Sequence, residues 1–221
     1  MSQTFILFLS LILGTTFCLT QPLGGQETEW EKKSEARWKE LEHKNGEGTD
    51  SALKAELLKM RDTDQDIRKR IIEAPPEEKK ALEAEQERID DMLTARLKEI
   101  VASKGWPTIR LVGIKASSAA SLILIHSLDH EFQRKMLPEL QKLVERDEIA
   151  GSDVATLIDK ILVADGKPQR FGTQFAFHDG KMVMEPVEDP KHLEQRREKY
   201  LLPPMAEYKK LLADFYHMPV E

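Results

Sequence analysis

Ala116 to Leu128 reads Ala-Ser-Ser-Ala-Ala-Ser-Leu-Ile-Leu-Ile-His-Ser-Leu, apolar or small on every side and broken by one titratable group, His126. A helix of this composition has no polar face to turn to water, so other elements must enclose it. The segments before it have the pattern to do so. Leu53, Leu57, Met60, Ile67 and Ile71 recur at alternating steps of four and three, behind Asp50 or Ser51 as a cap. Pro75-Pro76 ends that helix and opens another, running to about Ser103 with Leu82, Ile89, Leu93, Leu97 and Ile100 as its inner face. The expected result is two antiparallel helices. Gly105-Trp106-Pro107 then breaks the chain, with Trp106 in the core.

Beyond the central helix the spacing predicts helices over 131–146, bent at Pro138, and over 152–166, carrying Val154, Leu157, Ile158, Ile161 and Leu162. The one clear β signal follows. In 169–177, Phe171, Thr173, Phe175 and Phe177 alternate with Arg170, Gly172 and Gln174, and Asp179-Gly180 is a two-residue hairpin turn into Lys181 to Met184. That turn sets Phe177 opposite Met182 and Phe175 opposite Met184. Short helices over 191–200 and 204–215 complete the chain. The fold class is therefore mainly α: one helical domain, 51–216, with a β-hairpin at 169–186 in the C-terminal third.

Phe5 to Leu13 is a short apolar run followed by Gly14, small polar residues and then a charge-rich sequence, the layout of a signal peptide over 1–25. Cleavage is expected after Thr20 or after Gly25. A charged arm, helical around Trp30, Trp38 and Leu41, and the Asn45-Gly46-Glu47-Gly48 linker fill 26–50. Cys18 is the only cysteine, so the mature chain is expected to be thiol-free; bulky Phe17 before it disfavours a lipid anchor. Export to a periplasmic or extracellular space follows, with no stable membrane span after cleavage. All 33 Lys+Arg and 39 Asp+Glu lie after the leader, and the net charge of -6 disfavours nucleic acid as a partner.

Several short motifs recur in a distinctive order: Asp64-Gln65-x-x-Arg68, Gly105-Trp106-Pro107-Thr108 with Val112-Gly113, His126 with Phe132-Gln133 and Leu137-Pro138, Leu157-x-Asp159-Lys160, Gln169-x-Phe171-Gly172-Thr173-Gln174, and Arg196-Arg197 before Tyr208. Over about Leu57 to Tyr208 this order resembles an uncharacterised, largely bacterial family, domain of unknown function 6624. The resemblance implies membership and supplies no reaction. Lys160 stands where the family usually has Arg, and Phe171 where it has Tyr; the acidic stretch after the His is one residue shorter here, and a Gly near Leu201 is absent.

Asp64 occupies a seam position that calls for an apolar group, where an unpaired carboxylate is costly; Arg68 lies four residues on, on the same helix face, with Gln65 beside the pair. His126 is the best titratable candidate for a general base or ligand, and a core histidine bonded to a carbonyl is the alternative. His126-x-x-Asp129-His130 resembles the inverted zincin signature, but Asp129 is a methylene short and no third ligand is evident, so no metal site is expected. Gly172 allows close backbone approach, Thr173 and Gln174 offer donors and acceptors, and Asp159-Lys160 adds a carboxylate and a cation. Nucleophile-elbow, phosphate-loop and dinucleotide motifs are absent, and no cofactor is indicated.

The leading expectation is one polar pocket formed by Asp64, Gln65, Arg68, His126, Gln133, Asp159, Gln169 and Gln174, with Lys160, Gly172 and Thr173 at its edge. His126, Asp64 and Asp159 would do the chemistry and the rest would bind a small polar ligand. The competing expectation is a structural or interaction protein, in which the same groups form a buried network and the N-terminal Trp helix docks a partner.

Overall fold

The computed structural model describes residues 28–221. The leader expected over 1–25, with its expected cleavage site, and Cys18 lie outside the described residues. Among these residues no helix is long and apolar enough to cross a membrane. The chain is mainly helical with one two-stranded antiparallel hairpin. It groups into two compact units, Trp38–Ala150 and the described residues to Arg37 with Gly151–Glu221, the division falling inside helix α1 (Glu29–Asn45).

In the Trp38–Ala150 unit, Asp50 caps α2 (Ser51–Glu73) by accepting from the Leu53 amide at 2.9 Å. Its inner stripe buries Leu53, Leu57, Met60, Asp64 and Ile67. Pro76 opens α3 (Pro76–Lys104), and Gly105 closes it at φ 74°, a left-handed conformation that glycine adopts without penalty. Arg70 meets Glu85, Arg68 meets Asp90 and Arg96 meets Glu56, so the two helices run antiparallel, as expected. A four-residue helix, α4 (Ile109–Val112), follows the Trp106 turn; the sequence reading had no element there. Both long helices pack on α5 (Ile114–His126), in which every residue except Lys115 is buried. Trp38 and Leu41 of α1 pack on Ile109 and Ile114. The unit ends with α6 (His130–Glu145), which contains Pro138.

In the other unit, α7 (Gly151–Ala164) precedes strands β1 (Phe175–His178) and β2 (Lys181–Met184), paired with Phe175 opposite Met184 and Phe177 opposite Met182. A 3-10 turn at Pro190–His192, α8 (Leu193–Lys199) and α9 (Met205–Tyr216) follow. Tyr208 and Tyr216 of α9 meet Phe175 and Phe177 edge-on at 5.9 and 6.3 Å. Trp30 of α1 donates its indole N–H to the Leu201 carbonyl at 2.8 Å.

The expected strand over 169–177 is shorter than its alternation suggests. Residues 169–174 form a loop, because Gly172 turns left-handed at φ 66° and the local amides are spent on side chains rather than a neighbouring strand. Gln174, assigned above to a polar hairpin face with Arg170 and Gly172, is buried in that loop.

Candidate functional site

The apolar seam of α2 carries Asp64 to the end of the central helix. There its carboxylate meets Nδ1 of His126, at 2.8 Å from Oδ1 and 3.0 Å from Oδ2. Arg68, one turn on, places Nη1 2.9 Å from Asp64 Oδ1, and Gln65 donates to Oδ2 at 2.7 Å. The guanidinium then reaches across to α3, where Nη2 donates to both oxygens of Asp90 at 3.0 Å. Asp64, Asp90 and His126 are 0, 4 and 3 % exposed, so two carboxylates, a guanidinium and an imidazole share one interior. Enclosed charges persist only when matched in this way. Burial by itself pushes the Asp64 carboxyl up; the charge and hydrogen bond of His126, then Arg68 and Gln65, outweigh it and hold the group below the usual carboxylate value.

Gln133, expected as a ligand-binding residue, stands beside this pair and bonds the end of the helix. Its amide nitrogen donates to the carbonyls of Leu124, Ile125 and Ser127 at 2.9, 3.2 and 3.0 Å, which closes the C-terminus of α5 around His126. Its oxygen lies 2.9 Å from His130 Nδ1. Asp129 is the N-cap of α6, accepting from the Phe132 amide at 2.8 Å, and its other oxygen bonds Lys98. His126 therefore ends one helix and His130 begins the next, so they do not share the helix face that the zincin-like spacing suggested.

The remaining predicted residues gather in the hairpin unit, around the 169–174 loop. Asp159 of α7 accepts from the amides of Arg170, Phe171 and Thr173 at 2.7, 3.0 and 3.0 Å and from the Thr173 hydroxyl at 2.9 Å. Burial pushes this carboxyl above its ordinary value, against the pull of those donors. Gln169 closes the loop on itself: its nitrogen donates to the Gln174 and Glu185 carbonyls, and its oxygen accepts from the Gln174 amide at 2.8 Å. The Gln174 nitrogen donates to Thr173 Oγ1 at 3.0 Å. Lys160, next to Asp159, is buried.

The opposite side of the loop is held by two arginines. Arg196 donates to the Arg170 carbonyl at 2.7 Å, and Arg197 to those of Phe171, Gly172 and Pro203. Arg197 is 1 % exposed, and burial lowers its pKa; the guanidinium lies 4.8 Å from the centre of the Tyr208 ring. The Tyr208 hydroxyl donates to Thr173 at 3.3 Å, and burial pushes its pKa up to about 12. Gly172 sits at φ 66°, which favours glycine; a Cβ there would lie 2.5 Å from Met205 Cε, the movable end of a flexible side chain.

Predicted residues thus fall into two groups, each inside one unit: Asp64, Gln65, Arg68, His126 and Gln133 in one, and Asp159, Lys160, Gln169, Gly172, Thr173 and Gln174 in the other. Asp90 and Arg197 were missed. Asp90 precedes Leu93 and Leu97 by three and seven on the inner face of α3, the same seam anomaly that exposed Asp64. Arg197 belonged to a recognised motif but carried no sign of burial.

The model of the DUF6624 family, a family of unknown function, matches residues 51–221, and the chain belongs to that family. No curated protein and no solved structure matches the chain.

Proposed function

We propose that the DUF6624 domain of this chain acts on, or binds, a small polar molecule through an acid–base centre at His126, with Asp64 as its orienting carboxylate. One observation carries this reading: the buried Asp64–His126 contact, backed by Arg68 and Asp90. A carboxylate that accepts at Nδ1 fixes the tautomer with the lone pair on Nε2, and it stabilises the imidazolium formed when Nε2 takes a proton. Arg68 and Gln65 hold the carboxylate, and Asp90 holds Arg68, so the imidazole is oriented by two successive layers of side chains. In this reading His126 is the general base, Asp64 and Arg68 position it, and Gln133 sets the end of its helix.

A structural role is favoured for the other group by a different observation. Asp159, Gln169 and Arg197 direct their hydrogen bonds to the backbone of one loop and its neighbours. We assign them to holding the hairpin and not to the ligand, which narrows the expected eight-residue pocket to its Asp64–His126 half. Export by the leader, with release after cleavage, is part of the same proposal and rests on the 1–25 pattern.

The test is a thermal-shift panel of small acids, amides, esters and sugars, run on the parent chain and on His126→Gln, with hydrolysis of activated esters followed in parallel. A ligand or ester that acts on the parent and fails on a folded His126→Gln supports the centre. Equal responses from both proteins remove His126 from it. Asp64→Asn is expected to retain weak binding while losing most turnover, because it removes orientation and leaves the imidazole in place.

A further inference from the structure

In the Trp38–Ala150 unit, the turn after α3 forms one wall of a cleft of about 390 Å³, and none of its lining residues belongs to the His126 network. Lys104, Trp106, Arg110 and Glu139 line it. Their charges are unequally satisfied. Lys104 is matched by Asp50 at 2.6 Å. Arg110 and Glu139 are exposed, and among the described residues neither makes a side-chain hydrogen bond or ion pair. Trp106 is 3 % exposed, yet its indole N–H is buried without an acceptor among the described residues. Buried N–H groups are nearly always paired, so an unmet one on a residue that lines a polar cleft points to an acceptor that the described residues do not supply. A Cβ built on Gly105, another lining residue, meets nothing within 4 Å.

We propose that this cleft binds a small zwitterion, a free amino acid or a short peptide. Its complement is set by what the walls lack: an anion for Arg110, a cation for Glu139 and an acceptor for the Trp106 N–H. A carboxylate suits the planar guanidinium fork, which pairs with it through two parallel hydrogen bonds, and leaves lone pairs for the indole. An ammonium on the same molecule answers Glu139. A lone anion leaves Glu139 unmatched, and a lone cation leaves Arg110 and Trp106 so. The volume lies near the lower end of small-molecule sites, which run from about 300 to 1,000 Å³, so the ligand is an amino acid or a peptide of a very few residues and not a long chain.

The indole N–H of Trp106 is the reporter. In the ¹⁵N-labelled full chain its resonance is assigned by exclusion with Trp30→Phe and Trp38→Phe, at two residues that do not line the cleft. Glycylglycine is titrated in, with acetate and methylammonium as its separated halves. The expected result is a saturable shift of the Trp106 resonance at roughly millimolar glycylglycine, with Arg110→Gln and Glu139→Gln each weakening it about tenfold. Acetate alone saturating at the same concentration would overturn the zwitterion assignment. No shift up to about 20 mM, or variants that bind as well as the parent, would overturn the site itself.

Discussion

Asp64 faces three side chains at once, so it is the residue whose loss the buried network tolerates least. Replacing it by Asn leaves His126 enclosed without its carboxylate and Arg68 with Asp90 alone, and breaking a buried pair in this way costs about 3–5 kcal/mol. The dependence on pH has a definite sign. The folded-state pKa of Asp64 lies below its unfolded value, so the group contributes stability above that unfolded value, about 4, and loses it as pH falls through the folded one. Urea unfolding of parent and Asp64→Asn should therefore show a wide gap in stability at pH 7 that closes steadily below about pH 4. A gap independent of pH would mean that the carboxylate charge is not what the network uses. Gln133→Ala is milder. It uncaps three carbonyls at the end of α5 and should cost about 2 kcal/mol, with His126 still paired. Asp64 was legible because it interrupts an apolar seam. Asp90 was masked by Ile89, which filled the expected inner position beside it, and its partner Arg68 comes from another helix.

Among the elements, the helices followed their periodicity, and the hairpin register followed its Asp179-Gly180 turn, because both signals are local. The 169–174 loop was read as strand because Phe171, Thr173 and Phe175 do alternate inward; what changes its conformation is Asp159, distant in sequence, which takes the amides that a neighbouring strand would need. Nothing in Glu194-Gln195-Arg196-Arg197-Glu198-Lys199 separates buried Arg197 from half-buried Arg196 or from the exposed residues around them by composition. Asp159→Asn turns an amide toward donors that need an acceptor, and should cost about 3 kcal/mol. Hydrogen exchange at the Phe171 and Thr173 amides should accelerate in this variant more than exchange at Gln133; uniform acceleration would argue against a local anchor. At the other tight crossing, a Cβ on Gly113 would lie 2.6 Å from the Glu47 carbonyl oxygen, and the residue sits at φ 79°. Gly113→Ala combines both penalties, about 2 kcal/mol or more, and should lower Tm by roughly 4–8 °C.

At the scale of the whole molecule, the single cysteine and the charge balance make export testable apart from any activity. The first 25 residues contain Cys18 and no charged side chain, so either cleavage site removes the chain's only thiol and leaves its net charge of -6 untouched. A chain without thiols draws its stability from burial and from matched internal charges, not from cross-links, and its unfolding should not respond to redox conditions. When the full-length chain is expressed in a bacterial host, the exported product should have the mass of a chain starting at Gln21 or Gln26. It should give no reaction with a thiol reagent and the same urea midpoint with or without reductant. A product that retains Cys18 and sediments with membranes would mean that the apolar run from Phe5 to Leu13 anchors the protein. The processed form should still contain all of Thr28–Glu221, and with it both buried networks, so its unfolding curve should match that of a chain begun directly at Gln26.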